Sequence, residues 1–62
     1  MENRYLNEKE VALYTGISLA QLRNSRFYGK GISYYKFSKS VRYLLSDVEA
    51  WCEARKINIS QN

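Results

Sequence analysis

Two different repeats of apolar residues divide the chain into helical and extended segments. A repeat of three to four residues predicts helices over about 8–15, 19–28 and 47–56. Between the second and third helix the repeat shortens to two residues, which predicts strands over 34–37 and 41–44 joined by a tight loop at 38–40. The expected order is therefore helix, helix, β-hairpin, helix.

The start of each helix carries the same capping pattern. A capping side chain stands three residues before Glu or Gln, so that each can bond the other's backbone N–H. An apolar residue also precedes each cap, and a second apolar residue stands at the fourth helical position, which is the spacing of a hydrophobic staple. The caps are Asn7 with Glu10, Ser18 with Gln21, and Ser46 with Glu49; the staples are Leu6 with Val11, Ile17 with Leu22, and Leu45 with Ala50.

Periodicity also predicts the core. On the helices we expect the inward residues to be Val11, Ala12 and Tyr14, then Leu19 and Leu22, then Val48, Trp51 and Cys52, with Ile57 and Ile59 extending the last contact. Strand alternation predicts Tyr35, Phe37, Val41 and Tyr43 inward, and Tyr34, Lys36 and Arg42 outward. Aromatic rings turned inward would be unable to stack on the bases of a single strand, so this alternation disfavours single-strand binding.

The composition excludes several kinds of chemistry. With no His and one Cys, the chain has neither the ligands of a zinc site nor a Ser–His or Cys–His pair. We therefore expect no enzymatic activity, no metal, no cofactor and no small-molecule substrate. No apolar run approaches 18 residues, which predicts no membrane partner, and the single cysteine is typical of a reducing cytoplasm.

The net charge of +4 is unevenly distributed. Residues 18–44 contain six cations and no acid, whereas the rest of the chain has four cations and six acids. Such a cationic middle indicates a face that binds a polyanion, the alternative being an ordinary solvated surface.

The first two helices are too closely linked to pack as a bundle pair. Gly16 and Ile17 alone separate them, which favours a crossed helix-turn-helix with Ala12 at the crossing, although an ordinary helical corner is the alternative. A basic hairpin and a closing helix follow. The predicted fold is α+β, mostly α: a small winged helix-turn-helix of three helices, with a two-stranded β-hairpin wing between helices 2 and 3. It forms one domain over 1–62, with the helix-turn-helix at 7–28, the wing at 32–45, the closing helix at 47–56 and a frayed tail at 58–62.

Several sequence blocks resemble the excisionase-type, MerR-like helix-turn-helix family, which includes phage excisionases and AlpA-type regulators. They run from Tyr5 to about Cys52 and comprise 5–12 (YLNEKEVA), 15–18 (TGIS), 22–23 (LR), 29–31 (GKG), 41–43 (VRY) and 46–51 (SDVEAW). The resemblance implies a second helix in the major groove of DNA and a wing alongside it. It also implies a role in phage or mobile-element excision or in transcription.

The chain departs from that family at three places. Ser25 stands where family members commonly have Trp, and we expect Phe27, Tyr28 or a hairpin tyrosine to fill the space. Ile32 and Ser33 replace the usual prolines, which predicts a less rigid start of the wing. The wing tip at 38–40 has fewer glycines and arginines than usual, which predicts a lighter phosphate grip.

The second helix supplies the candidate base contacts. Arg23 is the first choice, because its guanidinium can bond guanine O6 and N7 together; a phosphate contact is the alternative. Asn24 fits adenine, or else faces solvent. Gln21 is a weaker candidate because of its place in the cap, and Ala20 either touches a thymine methyl or permits close approach.

The candidate phosphate contacts follow the same helix and the wing. They are Arg26, Lys30, Lys36, Lys39, Arg42 and Tyr34. Arg26 has an alternative role, in which its stem lies across the core edge.

The expected function is sequence-specific binding to double-stranded DNA without catalysis, as an excisionase (a recombination directionality factor) or a small transcriptional regulator. The expected location is the cytoplasm, at the nucleoid when bound. Further expected partners are other copies on repeated sites, an integrase or RNA polymerase. The alternative is a protein-interaction adaptor that docks on a recombinase or another partner through its hairpin or third helix.

Overall fold

Three helices and a three-stranded antiparallel sheet form a small α+β fold in the computed structural model, which describes residues 3–59. Residues 60–62 of the predicted tail lie outside this range. The sheet has a third strand that the sequence pattern did not indicate. The elements are β1 (Tyr5–Leu6), α1 (Glu8–Thr15), α2 (Leu19–Phe27), β2 (Tyr35–Phe37), β3 (Ser40–Leu44) and α3 (Leu45–Ala54), with the sheet order β1-β3-β2.

The first two helices begin where their caps predict. The Asn7 side chain accepts from the Glu10 N–H at 2.8 Å, and the Glu10 carboxylate accepts from the Asn7 N–H at 2.8 Å, so the capping box of α1 is complete. Gly16 ends α1 in the left-handed conformation, with φ 80°. Ser18 accepts from the backbone N–H of Gln21 at 3.1 Å and caps α2, whereas the predicted return bond to the Gln21 side chain is not formed within residues 3–59.

The third helix begins two residues earlier than its capping pattern predicts. Its N-cap position is Leu44, which has no capping side chain, and Ser46 lies inside the first turn. The predicted cap at Ser46 and the staple of Leu45 with Ala50 are therefore wrong. Pairing of β1 with β3 brings the start of the chain to this helix, where Asn3 Oδ1 accepts from the Ser46 N–H at 3.1 Å and the Arg4 C=O accepts from the Leu45 N–H at 2.8 Å.

The predicted core is correct for the helices except at Tyr14, and it is wrong for several strand aromatic and terminal residues. Tyr14 is 56% exposed, and its hydroxyl donates to Glu49 at 3.1 Å. Ile57 and Ile59 are also exposed, so they do not extend the core. The buried residues are Leu6, Val11, Leu22, Ile32, Tyr43 and Val48, with Ala12, Ile17, Leu19, Val41, Leu45, Trp51 and Cys52 packed against them.

The space beside Ser25 is occupied by the loop after α2. A Cβ on Gly31 would lie 3.0 Å from the Cβ of Ser25, and the next residue, Ile32, is buried. Phe27 and Tyr28 are exposed, so the prediction that either fills this space is wrong, whereas the hairpin residue Tyr43 is buried and lines a small cavity together with Ser25. A small side chain at position 25 therefore allows the loop backbone to lie against α2.

The strands β2 and β3 pair one residue away from the predicted register. A two-residue turn at 38–39, with Ser38 at φ 60°, replaces the predicted three-residue loop, and Phe37 pairs with Ser40. Because successive strand residues face opposite sides, this shift turns every side chain of β2 over. Tyr35 and Phe37 consequently lie on the outer side of the sheet and are exposed, which corrects their assignment to the core.

Candidate nucleic-acid interface

The outer surface of α2 is open to solvent. Leu22 is buried against the core, and the four candidate base-contacting residues around it are exposed. Exposure of these side chains follows from the amphipathic repeat of the helix, which needs one face for the core and leaves the other free. The exposed residues are Ala20, Gln21, Arg23 and Asn24.

Arg23 is exposed but holds a carboxylate. Its Nε and Nη2 donate to the two oxygens of Glu8 at 3.2 and 2.6 Å, and 58% of its side chain remains accessible. Glu8 lies in the first turn of α1, where the helix dipole favours a negative charge. The guanidinium is therefore fixed along one edge by an acid from the neighbouring helix.

Arg26 lies beneath Arg23 and is largely enclosed. Only 16% of its side chain is accessible; Nη1 donates to the Tyr43 hydroxyl at 2.7 Å, and Nη2 donates to Glu8 at 3.1 Å. The guanidinium also lies 5.8 Å from the ring centre of Tyr34. This placement agrees with the alternative in which Arg26 lies across the core edge, with both of its Nη atoms bonded to protein groups.

The two arginines change the ionisation of Glu8. The hydrogen bond from Arg23, helped by a second from Arg26, holds the pKa of the Glu8 carboxyl below its ordinary value despite the opposing effect of partial burial. The same contact raises the pKa of Arg23. At neutral pH the cluster therefore consists of two guanidinium ions and one carboxylate.

A cleft beside this cluster connects α2 with the β2–β3 turn. Arg42, partly buried, donates from Nη1 to the Val41 C=O at 2.8 Å at its edge. Cations from three separate chain segments thus line the cleft together with Glu8, the one carboxylate in the lining. The cleft is lined by Asn7, Glu8, Lys9, Arg26, Lys39, Ser40, Val41 and Arg42.

Other predicted phosphate contacts are placed apart from this cleft. Lys36 pairs with Val41, and Arg42 with Tyr35, so the two cations start from opposite sides of the sheet. The prediction that Lys36 and Arg42 share one outward face is therefore wrong, because of the one-residue shift in register. Lys30 lines a different, smaller cavity, and Tyr34 is 41% exposed beside Arg26.

The outer side of the sheet carries a cluster of exposed aromatic rings. Tyr5 lies edge-on to both Tyr35 and Phe37, with ring centres 5.4 and 5.5 Å apart, and the latter two rings are parallel at 5.9 Å. The three side chains are 41–51% exposed. The alternation that disfavoured base stacking thus rested on the wrong register, and the rings do face outward together.

Sequence reasoning missed two residues of the cationic site. Glu8 was assigned to a helix start, and the hydroxyl of Tyr43 had no assigned partner. Their contacts join residues 15 to 18 positions apart. No local sequence pattern predicts such pairs. The one available signal is an acid in the first turn of α1, for which an arginine of the neighbouring helix is a possible ion-pair partner.

Neither a membrane-spanning helix nor a group of three potential metal ligands occurs among residues 3–59. Comparison of the chain with known protein families gives no matching family, and comparison with curated proteins gives no significant relative. The resemblance to excisionase-type domains therefore stands on the residue blocks themselves.

Proposed function

We propose that this protein binds double-stranded DNA sequence-specifically and without catalysis, as a small winged helix-turn-helix. The observation that supports the proposal best is the position of four cations: Lys9 of α1, Arg26 of α2, Lys39 of the β2–β3 turn and Arg42 of β3 line one cleft beside the exposed surface of α2. A polyanion is the partner that such a surface attracts. An excisionase or a small transcriptional regulator of a mobile element would use DNA binding of this kind.

In this proposal α2 enters the major groove. Arg23 bonds guanine, Asn24 reads adenine, and Ala20 lies close to a thymine methyl. Gln21 is a further base contact, because its side chain is exposed and only its backbone N–H takes part in the cap, by donating to Ser18 Oγ.

The β2–β3 pair acts as the wing in this proposal. Lys39 and Arg42 bind phosphates next to the cleft. Further phosphates are bound, apart from the cleft, by Lys30, Lys36 and Tyr34. Arg26 supports the surface from below, since it is largely enclosed and bonds Glu8 and Tyr43. A single module contacts roughly 600–1,000 Å² of DNA, so high specificity requires several copies on repeated sites.

A salt titration of duplex binding tests the proposal. The four lysine and arginine contacts to phosphate predict that the logarithm of the association constant falls with log salt concentration at a slope of roughly −3.6. Lys39→Gln should make the slope shallower by about 0.9, because one contact is lost. Lys56→Gln removes an equal charge on the α3 side of the molecule and should leave the slope closer to that of the wild type. Absence of duplex binding at low salt, or an affinity independent of salt, would refute DNA binding.

A protein-interaction adaptor is the second candidate, and the exposed rings of Tyr5, Tyr35 and Phe37 favour it. An adaptor that docks through the outer sheet would depend on these rings and not on Lys39. Binding of a purified recombinase, taken as the candidate partner, should then be lost in Phe37→Ser and kept in Lys39→Gln. In duplex binding, a shallower salt slope in Lys39→Gln together with wild-type behaviour of Phe37→Ser supports the DNA proposal. Preference for single-stranded over duplex DNA, abolished by Phe37→Ser, would instead assign the rings to base stacking.

A further inference from the structure

The contact between Glu8 and Arg23 uses one edge of the guanidinium and leaves the other open. The bonds run from Nε and Nη2, and within residues 3–59 no group accepts a hydrogen bond from Nη1. An arginine has five N–H donors in a rigid plane, so the Nη1–Nη2 edge keeps two parallel donors. That edge has the geometry needed to bond guanine O6 and N7 together.

The carboxylate that holds Arg23 is itself held from the core. Tyr43, whose ring is 1% exposed, accepts from Arg26 at 2.7 Å, and Arg26 donates to Glu8 at 3.1 Å. A chain of hydrogen bonds therefore runs from a buried ring to an exposed arginine. Each link is charge-assisted or anchored in packed structure, which restricts the rotamers of Arg23 before any ligand binds.

Resting on the DNA-binding function proposed above, we infer that Glu8 is a positioning residue: it orients the free edge of Arg23 toward a guanine and so determines discrimination at one base pair. An exposed arginine without a partner loses side-chain freedom on binding, and this loss lowers its affinity. Contact with Glu8 removes part of that loss in advance.

Selection from a random duplex library tests the inference without knowledge of the natural target. Wild-type protein is mixed with the library, the bound fraction is sequenced, and discrimination is measured at each enriched position. Arg23→Ala should reduce discrimination at a single base pair by about 5- to 150-fold. Glu8→Gln and Glu8→Asp should reduce discrimination at the same base pair by about 2- to 12-fold, the range expected for fixing one long side chain.

The two Glu8 variants separate geometry from charge. Glu8→Gln removes the charge, whereas Glu8→Asp keeps the charge and shortens the reach to Arg23. Glu53→Gln is the matched control, since it changes the net charge equally at an exposed position of α3. Thermal unfolding of each variant shows whether it is folded at the temperature of the selection.

Three results would overturn the inference. The first is uniformly tighter binding by Glu8→Gln with all base preferences kept, combined with wild-type behaviour of Glu8→Asp, since Glu8 would then act by charge alone. The second is loss of discrimination at a base pair that Arg23→Ala does not affect. In both cases the protein still binds duplex DNA and the proposed function stands. The third is absence of wild-type duplex binding, which would refute the proposed function together with the inference.

Discussion

Two surfaces of this domain differ in how their exposed side chains are held. On the cationic side, Arg23 and Arg26 are fixed by hydrogen bonds to one acid and, through Tyr43, to the core. On the outer side of the sheet, Tyr5, Tyr35 and Phe37 contact mainly one another through ring edges and faces. The first surface is arranged for directional polar contacts, and the second offers apolar area without directional bonds.

The difference predicts opposite dependence on salt. Charge contacts with a polyanion weaken as salt concentration rises, whereas burial of aromatic rings does not. A ligand of the cationic surface and a ligand of the sheet can therefore be told apart without a structure of either complex.

The largest effect on the free energy of unfolding should come from a core residue on which the folding of the whole domain, and so of both surfaces, depends. Leu22 is 4% exposed beneath the outer face of α2. We expect Leu22→Ala to lower the free energy of unfolding by about 2–5 kcal/mol. A domain of this size has only about 3–5 kcal/mol available, so much of the protein should unfold and lose both surfaces together. Chemical denaturation followed by tryptophan fluorescence measures this, and a loss below about 1 kcal/mol would contradict the assigned core.

A smaller effect should be confined to the cationic side. Tyr43→Phe keeps the buried ring and removes the hydroxyl that accepts from Arg26. Hydrogen bonds to charged groups contribute about 1.5–3 kcal/mol, so a loss of that order is expected in denaturant unfolding. Tyr34→Phe is the matched control, because no protein group in the described residues bonds the Tyr34 hydroxyl. Equal losses in the two variants would contradict the chain of bonds from Tyr43 to Arg23.

A third variant pair tests the contact between Asn3 and Ser46 at the start of α3. Asn3→Ala should cost about 1 kcal/mol, since the Asn3 side chain caps α3 through the Ser46 N–H. Ser46→Ala should be nearly neutral, because the Ser46 side chain makes no capping bond. Thermal unfolding of both variants decides between the observed cap and the local capping pattern, which predicts the reverse order.

The smallest effect concerns acid pH. The pKa of Glu8 is lower in the folded protein than in the unfolded chain, so its ion pairs stabilise the fold above the ordinary glutamate pKa of about 4.3. This contribution is lost as pH falls through the lowered folded-state pKa. Partly exposed ion pairs contribute at most about 1 kcal/mol, so the difference between wild type and Glu8→Gln should be modest at pH 7 and vanish at low pH. An unchanged difference at low pH would show that Glu8 acts by packing and not by charge.

Local patterns predicted the helices better than the sheet. The capping bonds at Asn7 and Ser18 join residues only three positions apart, so the sequence alone predicts the bounds of α1 and α2 nearly to the residue. The turn at Ser38 was ambiguous by one residue, and in a strand this exchanges the inner and outer faces.

The sequence did not predict the cap of α3 or the partner of Arg23, because both contacts join residues far apart in the chain. Asn3 lies 43 residues from Ser46, and Glu8 lies 15 from Arg23. Contacts over such separations produce no repeating pattern of residues in the sequence. Exposure of the α2 surface was predictable from helical spacing, whereas the hydrogen bonds that orient Arg23 required the tertiary structure.

The most direct test of the central claim is the affinity for duplex DNA between about 50 and 200 mM salt. If the assigned lysines and arginines bind phosphates, affinity should fall by roughly 150-fold over this range, corresponding to a slope of about −3.6. Affinity unchanged across the same range would show that the cationic surface does not contact the DNA backbone, and the proposed function would be wrong.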